Sequence, residues 1–254
     1  MHLDVVDLKK FYFGTALGRL STTVLSSRVA EIWPTTAGCT VVGFGFAAPL
    51  LRDIRQQALR TVNLMPARQG ATSWPIKGAN TSVLTADASW PLPTEASERI
   101  LFLHGLETSE NPSGLLKECW RVLAPEGRVL FVVPHRAGLW ARRDATPFGF
   151  GRPYSAGQLD KQLMQHRFEP IHHAAALFFP PSERKFLAGA SGAWEKFGRR
   201  MPMGLAGGVL LVEAVKRVVQ PHRPALAEKV SKSLKALEEI TVPGARPVSG
   251  RRQA

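Results

Sequence analysis

Short, continuously apolar runs alternate with segments of helical periodicity through the central part of the chain. The runs at 40–42, 61–65, 81–84, 99–103 and 128–133 are rich in Val, Leu, Ile and Phe. Strands that are apolar on both faces belong to parallel sheets covered by helices on both sides. The pattern therefore predicts an α/β domain built on a doubly wound, mostly parallel sheet.

Two further apolar runs, at 171–179 and 209–215, complete a predicted seven-stranded sheet. Ser155 is a plausible N-cap for a helix over 155–166, just ahead of this last pair of strands. We divide the chain into an N-terminal helical cap (1–37), the α/β domain (38–220, with a helical insertion at 180–207 before the last strand) and a basic C-terminal helix and tail (221–254). The tail is rich in Pro, Gly and Arg, and we expect it to be partly disordered.

Composition narrows the functional classes. The chain has 254 residues, 44% of them hydrophobic, and 33 Lys and Arg against 20 Asp and Glu give a net charge of +13. A chain this apolar is neither disordered nor fibrous. No stretch is apolar enough to span a membrane, and charged residues occupy the place of a signal-peptide core, so we expect a cytoplasmic protein. Two cysteines support neither a disulfide framework nor a metal site.

The positive charge has two interpretations, a nucleic-acid surface or a basic solvated face. Base stacking would require aromatic residues interleaved with the basic ones. Few are found there, so nucleic acid is not the favoured partner. The insertion at 180–207 combines basic and aromatic residues. It could be a packed helix with a basic outer face, a substrate lid, a partner surface or a contact with an anionic membrane.

The loop after the first predicted strand reads Gly-Phe-Gly-Phe-Ala-Ala-Pro, from Gly43 to Pro49. Glycines two apart let the backbone turn sharply and come close to a ligand, and the following helix presents free N–H groups. The same spacing also suits a tight turn without a ligand. Because ligands of open parallel sheets bind at the carboxyl ends of the strands, this loop is the first candidate site.

Two segments carry a family resemblance. LLKECWRVLAPEGRVLFVVP (115–134) is similar to the helix, Pro-Gly turn and fifth strand of class I S-adenosylmethionine-dependent methyltransferases of the small bacterial type 11 kind, and DASWPLPTEASERILFLHGLE (87–107) resembles the aspartate, turn, fourth strand and loop of that family. The resemblance covers about 38–178 and the final strand. It implies a Rossmann-like methyltransferase fold and S-adenosylmethionine as the cofactor.

The resemblance also implies roles for particular residues. Val41 and Asn63 stand where the family usually has acidic residues, and Asp87, which equally suits a turn or cap, matches the acid near the adenine. The cofactor-binding residues expected by this match are Gly43, Phe44 and Gly45 at the amino acid part, Asn63 at the ribose, Asp87 and Ala88 at the adenine, and His104 and Leu106 in the loop after the fourth strand.

Methyl transfer needs a positioned acceptor and, for some acceptors, a base. The loop after the fifth strand lies where this family meets its substrates; there His135 is a candidate base and Arg136 a candidate anion clamp. Tyr12 lies in an N-terminal helix of the kind that lids the pocket in the family. Each of the three could instead be structural.

Together these features favour a methyltransferase acting on a small, anionic molecule. A methyltransferase-fold protein without catalysis, acting as a binding or regulatory module, is the alternative suggested by Val41, Asn63 and Ala47. A less favoured alternative is an RNA methyltransferase, suggested by the net charge of +13.

Overall fold

A computed structural model describes residues 3–142, 146–182, 194–195, 198 and 207–218. Its centre is a seven-stranded sheet with strand order β3-β2-β1-β4-β5-β7-β6. β7 runs antiparallel to both of its neighbours, and the other neighbouring pairs are parallel. The strands are β1 (Thr40–Gly45), β2 (Arg60–Pro66), β3 (Ser82–Thr85), β4 (Ser97–Leu103), β5 (Leu123–Pro134), β6 (Phe168–Ala176) and β7 (Val209–Lys216). This confirms the predicted doubly wound, mostly parallel sheet.

The helices begin where capping side chains are available. Thr15 accepts a hydrogen bond from the Gly18 amide, Asn111 from the Gly114 amide, and Ser155 forms a capping box with Gln158, which confirms its predicted role. The helices are α1 (Val5–Lys9), continued by a π-helical turn (Lys10–Gly14), α2 (Ala16–Ile32), α3 (Ala48–Ile54), α4 (Pro112–Val122) and α5 (Ala156–Gln165).

Successive residues of each central strand point to opposite faces of the sheet and enter two separate cores. Val41, Leu101 and Leu130 pack in one core, with α1, α2 and α3. Val42, Ile100 and Val129 pack in the other, with α4 and α5. Because both faces are covered, residues 100–103 of β4 and 129–133 of β5 are apolar at every position, which is why they read as continuous runs.

The strand order reverses between β1 and β4: the chain winds outward to β2 and β3 from one and to β5 from the other. In such sheets the ligand site lies at the carboxyl ends of the strands beside this reversal. The loops after β1, β2, β3 and β4 therefore form the edge at which the predicted cofactor residues should meet.

Several predictions concern residues outside this description. The insertion at 180–207 is largely outside it, as are the C-terminal helix and tail at 221–254. Within the described residues, no helix is long and apolar enough to cross a membrane, and no cluster of three or more His, Cys, Asp or Glu side chains could hold a metal ion. Cys39 and Cys119 are free thiols.

Candidate functional site

The two glycines at the end of β1 are required by contacts within the protein. Gly45 has φ +85°, and a Cβ there would lie 2.2 Å from the carbonyl oxygen of Leu103. A Cβ on Gly43 would lie 2.6 Å from Cδ1 of Leu51 and 2.7 Å from Cβ of Ala47. The loop thus closes tightly against β4 and α3. A bulky residue at Gly43 would disturb α3 as well as any bound ligand, so its effect on binding would not by itself locate the cofactor.

The side chains of Phe44 and Leu106 lie in the core that contains α4. The ring of Phe44 stacks on Trp90 with centroids 5.0 Å apart, and Leu106 is 1% exposed in the same core. Only their backbone groups are therefore available to a ligand at the strand ends. Phe46, the next residue of the loop, is fully buried and its ring stacks on Tyr12.

Asn63 lies inside β2, directly opposite Gly43, and the strand continues for three more residues. Its Nδ2 donates to the Ser82 hydroxyl at 3.2 Å, and it is fully buried. Asp87 follows β3, is partly buried, and accepts a hydrogen bond of 2.6 Å from the Ser109 hydroxyl. Ala88 beside it is exposed. Asp87 therefore lies between the loops after β3 and β4, whereas Asn63 lies deeper in the sheet.

Tyr12 and His104 are in direct contact. The Tyr12 hydroxyl lies 2.6 Å from His104 Nε2, and His104 Nδ1 lies 3.1 Å from Glu107 Oε1. The three side chains are at most 2% exposed, and His104 holds the left-handed conformation with φ +52°. The π-helical turn carries Tyr12 over the loop after β4. One predicted catalytic residue and one predicted cofactor residue therefore belong to the same buried hydrogen-bonded chain.

Two polar residues of this edge were missed in the sequence. Gln69, after β2, donates from Nε2 to the His104 carbonyl at 2.5 Å, and Glu107 completes the chain from Tyr12. Within the described part of the chain, Gln69 Oε1 and Glu107 Oε2 have no hydrogen-bond partner although both are buried. An acid three residues after a loop histidine was a readable signal for Glu107; nothing in the local sequence marked Gln69.

The chemistry of this edge fits the expected cofactor. S-adenosylmethionine is a cation at its sulfonium and ammonium groups and offers hydroxyl and amino donors. The edge offers the carboxylates of Asp87 and Glu107 and the unpartnered oxygen of Gln69, and buried acceptors of this kind require a donor. These residues therefore fit a cationic ligand that is rich in donors.

The N-terminal residues fill most of the space at this edge. The cavity between Leu3, Gln69 and Asp87 holds about 20 Å³, and the Val5 amide donates to the Gln69 carbonyl at 2.7 Å. Sites for ligands of this size have volumes of roughly 300 Å³ or more. In the closed arrangement the edge therefore has no room for the whole cofactor, which fits only after the segment 3–14 moves away.

His135 and Arg136 lie in a different place, at a cavity of about 470 Å³ beside the end of β5. His135 is 4% exposed and its Nδ1 donates to the Gly207 carbonyl at 2.9 Å. The exposed Arg136 guanidinium donates to the Pro153 carbonyl at 3.3 Å. The structure therefore keeps the third predicted catalytic residue, Tyr12, apart from this pair: Tyr12 belongs to the cofactor edge.

The two tyrosines give a direct test of this packing. Burial raises the pKa of Tyr12 well above its usual value, and the nearby Glu107 carboxylate adds to the effect; burial also raises the pKa of Tyr154, the only other tyrosine. The folded state favours the neutral form of both phenols. Their contribution to the free energy of unfolding is therefore fully present below pH about 10 and is lost as the pH rises through the folded-state pKa values. We expect little near-ultraviolet phenolate absorbance at pH about 10 in the native protein and about half-ionisation in urea. Equal titration curves in the two conditions would contradict the buried positions.

Comparison with known proteins supports the fold and the methyltransferase resemblance. Residues 26–131 match the family described as Methyltransferase domain, and no curated protein sequence matches the chain. A Thermotoga maritima structure described as a SAM-dependent methyltransferase, possible histamine N-methyltransferase, is similar, with 14% identity, TM-score 0.59, and coverage of 84% of this chain and 96% of that one. An Archaeoglobus fulgidus SAM-dependent methyltransferase gives 14% identity, TM-score 0.56, and coverage of 84% and 100%.

The fold also matches the cyclase SpnF, at 20% identity and TM-score 0.51, over 76% of this chain and 80% of that one. Likeness at this level of identity establishes the fold, which hosts more than one kind of chemistry. The family match over residues 26–131 runs from within α2 to Phe131 in β5 and covers less than half of the chain. Together with the shared fold, this match supports the class I S-adenosylmethionine-dependent methyltransferase family, and it implies S-adenosylmethionine as the cofactor.

Proposed function

We propose that this chain is a cytoplasmic enzyme that transfers a methyl group from S-adenosylmethionine to a small, anionic molecule. One observation carries the proposal. The family match runs from β1 into β5, and the loops after β2 and β4 bring together two buried acceptors that lack a donor, Gln69 Oε1 and Glu107 Oε2. A family-matched edge with this unmet hydrogen-bonding capacity is what a cationic cofactor requires.

The proposal gives each residue of the edge a task. Asp87 and Gln69 accept hydrogen bonds from the cofactor, and the Glu107 carboxylate supplies negative charge near its cationic part. His104 holds Glu107 in place and ties it to Tyr12. The segment 3–14 covers this edge in the closed arrangement and moves away to admit the cofactor. The bound cofactor supplies the methyl group.

The acceptor enters, on this proposal, at the cavity beside His135 and Arg136. Because a carbonyl oxygen only accepts, the bond to Gly207 fixes a proton on Nδ1 of His135. The neutral ring then has Nε2 free to accept a proton from an acceptor group, as a general base does. Arg136 is exposed at the rim and attracts anions.

A binding or regulatory protein of the same fold is the second candidate. It is favoured by the absence of carboxylates at Val41 and Asn63 and by the small volume left at the closed edge. An RNA methyltransferase is the third, on the strength of the net charge alone. RNA that copurifies and binds with a steep salt dependence would favour that reading, and without both results we reject it.

Calorimetric titration with S-adenosylmethionine and S-adenosylhomocysteine tests the proposal. We expect binding with Kd of about 1–100 μM, weakened roughly 10-fold or more by Asp87→Ala, since a lost charge-assisted hydrogen bond costs about 1.5–3 kcal/mol. Asp53→Ala is the control, because that acid is exposed on α3 and pairs only loosely with Arg52. A folded protein that binds neither compound would favour the second candidate instead.

A further inference from the structure

The cavity beside β5 is lined by more basic residues than the two that the sequence predicted there. Besides His135 and Arg136, its wall includes Arg142 and His173, and Leu210 and Val212 of β7 form its apolar part. Among the described residues that line it there is no Asp or Glu. The Arg142 guanidinium makes no hydrogen bond or ion pair with any described side chain. We propose that this cavity is a binding site for an oxyanion, a carboxylate or phosphate, carried by a small organic molecule.

His173 is the residue that most sharpens this assignment. Its Nε2 lies 2.7 Å from Asp160 Oδ1 on α5, and both side chains are about one quarter exposed. The Asp160 carboxylate can only accept, so Nε2 carries a proton and the ring orientation is fixed. When the ring carries both protons, its second N–H is a charged donor available to an anion.

The two imidazoles are held in the same manner. His135 is anchored through Nδ1 to the Gly207 carbonyl, and His173 through Nε2 to Asp160. In each ring the other nitrogen has no hydrogen-bond partner in the described residues. The guanidinium groups of Arg136 and Arg142 are charged donors beside these two oriented rings, an arrangement that suits a carboxylate or phosphate.

The size of the cavity argues for an organic ligand. About 470 Å³ falls in the range of small-molecule sites, and it far exceeds the volume that one inorganic ion needs. The methyl groups of Leu210 and Val212 offer an apolar surface for the remainder of the molecule. A free phosphate ion would therefore occupy only the donor-rich part of the site.

The cavity extends from the end of β5, where His135 and Arg136 lie, to residues of β6 and β7. If the proposed function holds, the anionic group therefore belongs to the methyl acceptor that His135 serves as a base.

Isothermal titration with inorganic phosphate and with succinate at low ionic strength tests the site. We expect saturable binding with Kd below about 10 mM, weakened roughly 10-fold by Arg142→Gln and by His173→Gln. Arg52→Gln is the control, since its exposed side chain lies on α3 away from this cavity and carries the same charge. Thermal unfolding with and without phosphate confirms that each variant is folded and repeats the ranking as shifts in Tm.

The outcomes separate the two proposals. Equal weakening by the control would show non-specific attraction to a basic protein and overturn the site, as would binding unchanged in both cavity variants or no saturable binding of either anion. Binding of S-adenosylhomocysteine should be unchanged in Arg142→Gln and His173→Gln. Loss of anion binding with cofactor binding retained therefore tests the cavity alone, and anion binding by a protein that binds no cofactor would refute the methyltransferase proposal alone.

Discussion

Gly45→Ala should cost about 3–5 kcal/mol of the free energy of unfolding, one of the largest effects of any single methyl group in this chain. The residue has φ +85°, a conformation that costs a non-glycine residue about 1–2 kcal/mol. The added Cβ would also lie 2.2 Å from the Leu103 carbonyl oxygen and 2.9 Å from the Gly105 amide nitrogen. That oxygen accepts the Phe46 amide at 2.7 Å, so the methyl group would disrupt the bond that ties the β1 loop to β4.

Denaturant unfolding of the wild type, Gly45→Ala and Gly157→Ala measures this effect. Gly157 lies in the first turn of α5, where a Cβ would meet nothing within 4 Å. Alanine is the better helix former there, so we expect its effect to stay within about 1 kcal/mol. A Gly45→Ala protein with the midpoint of the wild type would show that the loop has another conformation and would undo the geometry argued for the cofactor edge.

The sheet could be predicted because burial on both faces leaves a strong signal. β4 at Ser97–Leu103 and β5 at Leu123–Pro134 contain the predicted runs, since residues 100–103 and 129–133 all pack in one of the two cores. The edge strand β6 was placed at 171–179 but spans Phe168–Ala176. Pro170 lies inside β6 because an edge strand tolerates proline, and Leu177 follows the strand with φ +58°.

The meeting of these loops at one edge of the sheet could also be predicted, because the carboxyl ends of parallel strands lie together. Gly45 ends β1, Asp87 comes shortly after β3 and His104 directly after β4, so the three residues lie along that edge. The depth of each residue could not be predicted. β2 stays paired with β3 as far as Pro66 and Thr85, so Asn63 lies within the sheet and Gln69, in the loop beyond, reaches the edge.

Contacts between distant segments could not be predicted from the sequence, for a physical reason. Tyr12 and His104 are 92 residues apart, and no local pattern links a tyrosine in a helical turn to one particular loop histidine. His173 and Asp160 meet because α5 lies against β6, which periodicity alone does not specify. In both cases the sequence predicted a helix, but tertiary packing determined which residue across the fold that helix contacts.

His104→Asn should cost about 3–5 kcal/mol of stability and release the N-terminal segment. Asparagine tolerates the φ of +52° at this position, so the substitution removes the ring contacts without adding backbone strain. It leaves the Tyr12 hydroxyl and the Glu107 carboxylate buried without their shared partner. An uncompensated buried carboxylate accounts for most of the cost.

Tyr12→Phe is the matched variant, because it keeps the contact between His104 and Glu107 and removes only the hydroxyl. We expect it to cost about 1–2 kcal/mol, and the double variant to cost less than the sum, since both changes remove the same hydrogen bond. Hydrogen exchange provides the second readout. Amides in the segment 3–14 should exchange faster in both variants, while those of β5 in the centre of the sheet stay protected. If His104→Asn costs no more than Tyr12→Phe, or if the segment 3–14 exchanges as in the wild type, then the buried chain from Tyr12 to Glu107 does not hold the closed arrangement over the cofactor edge.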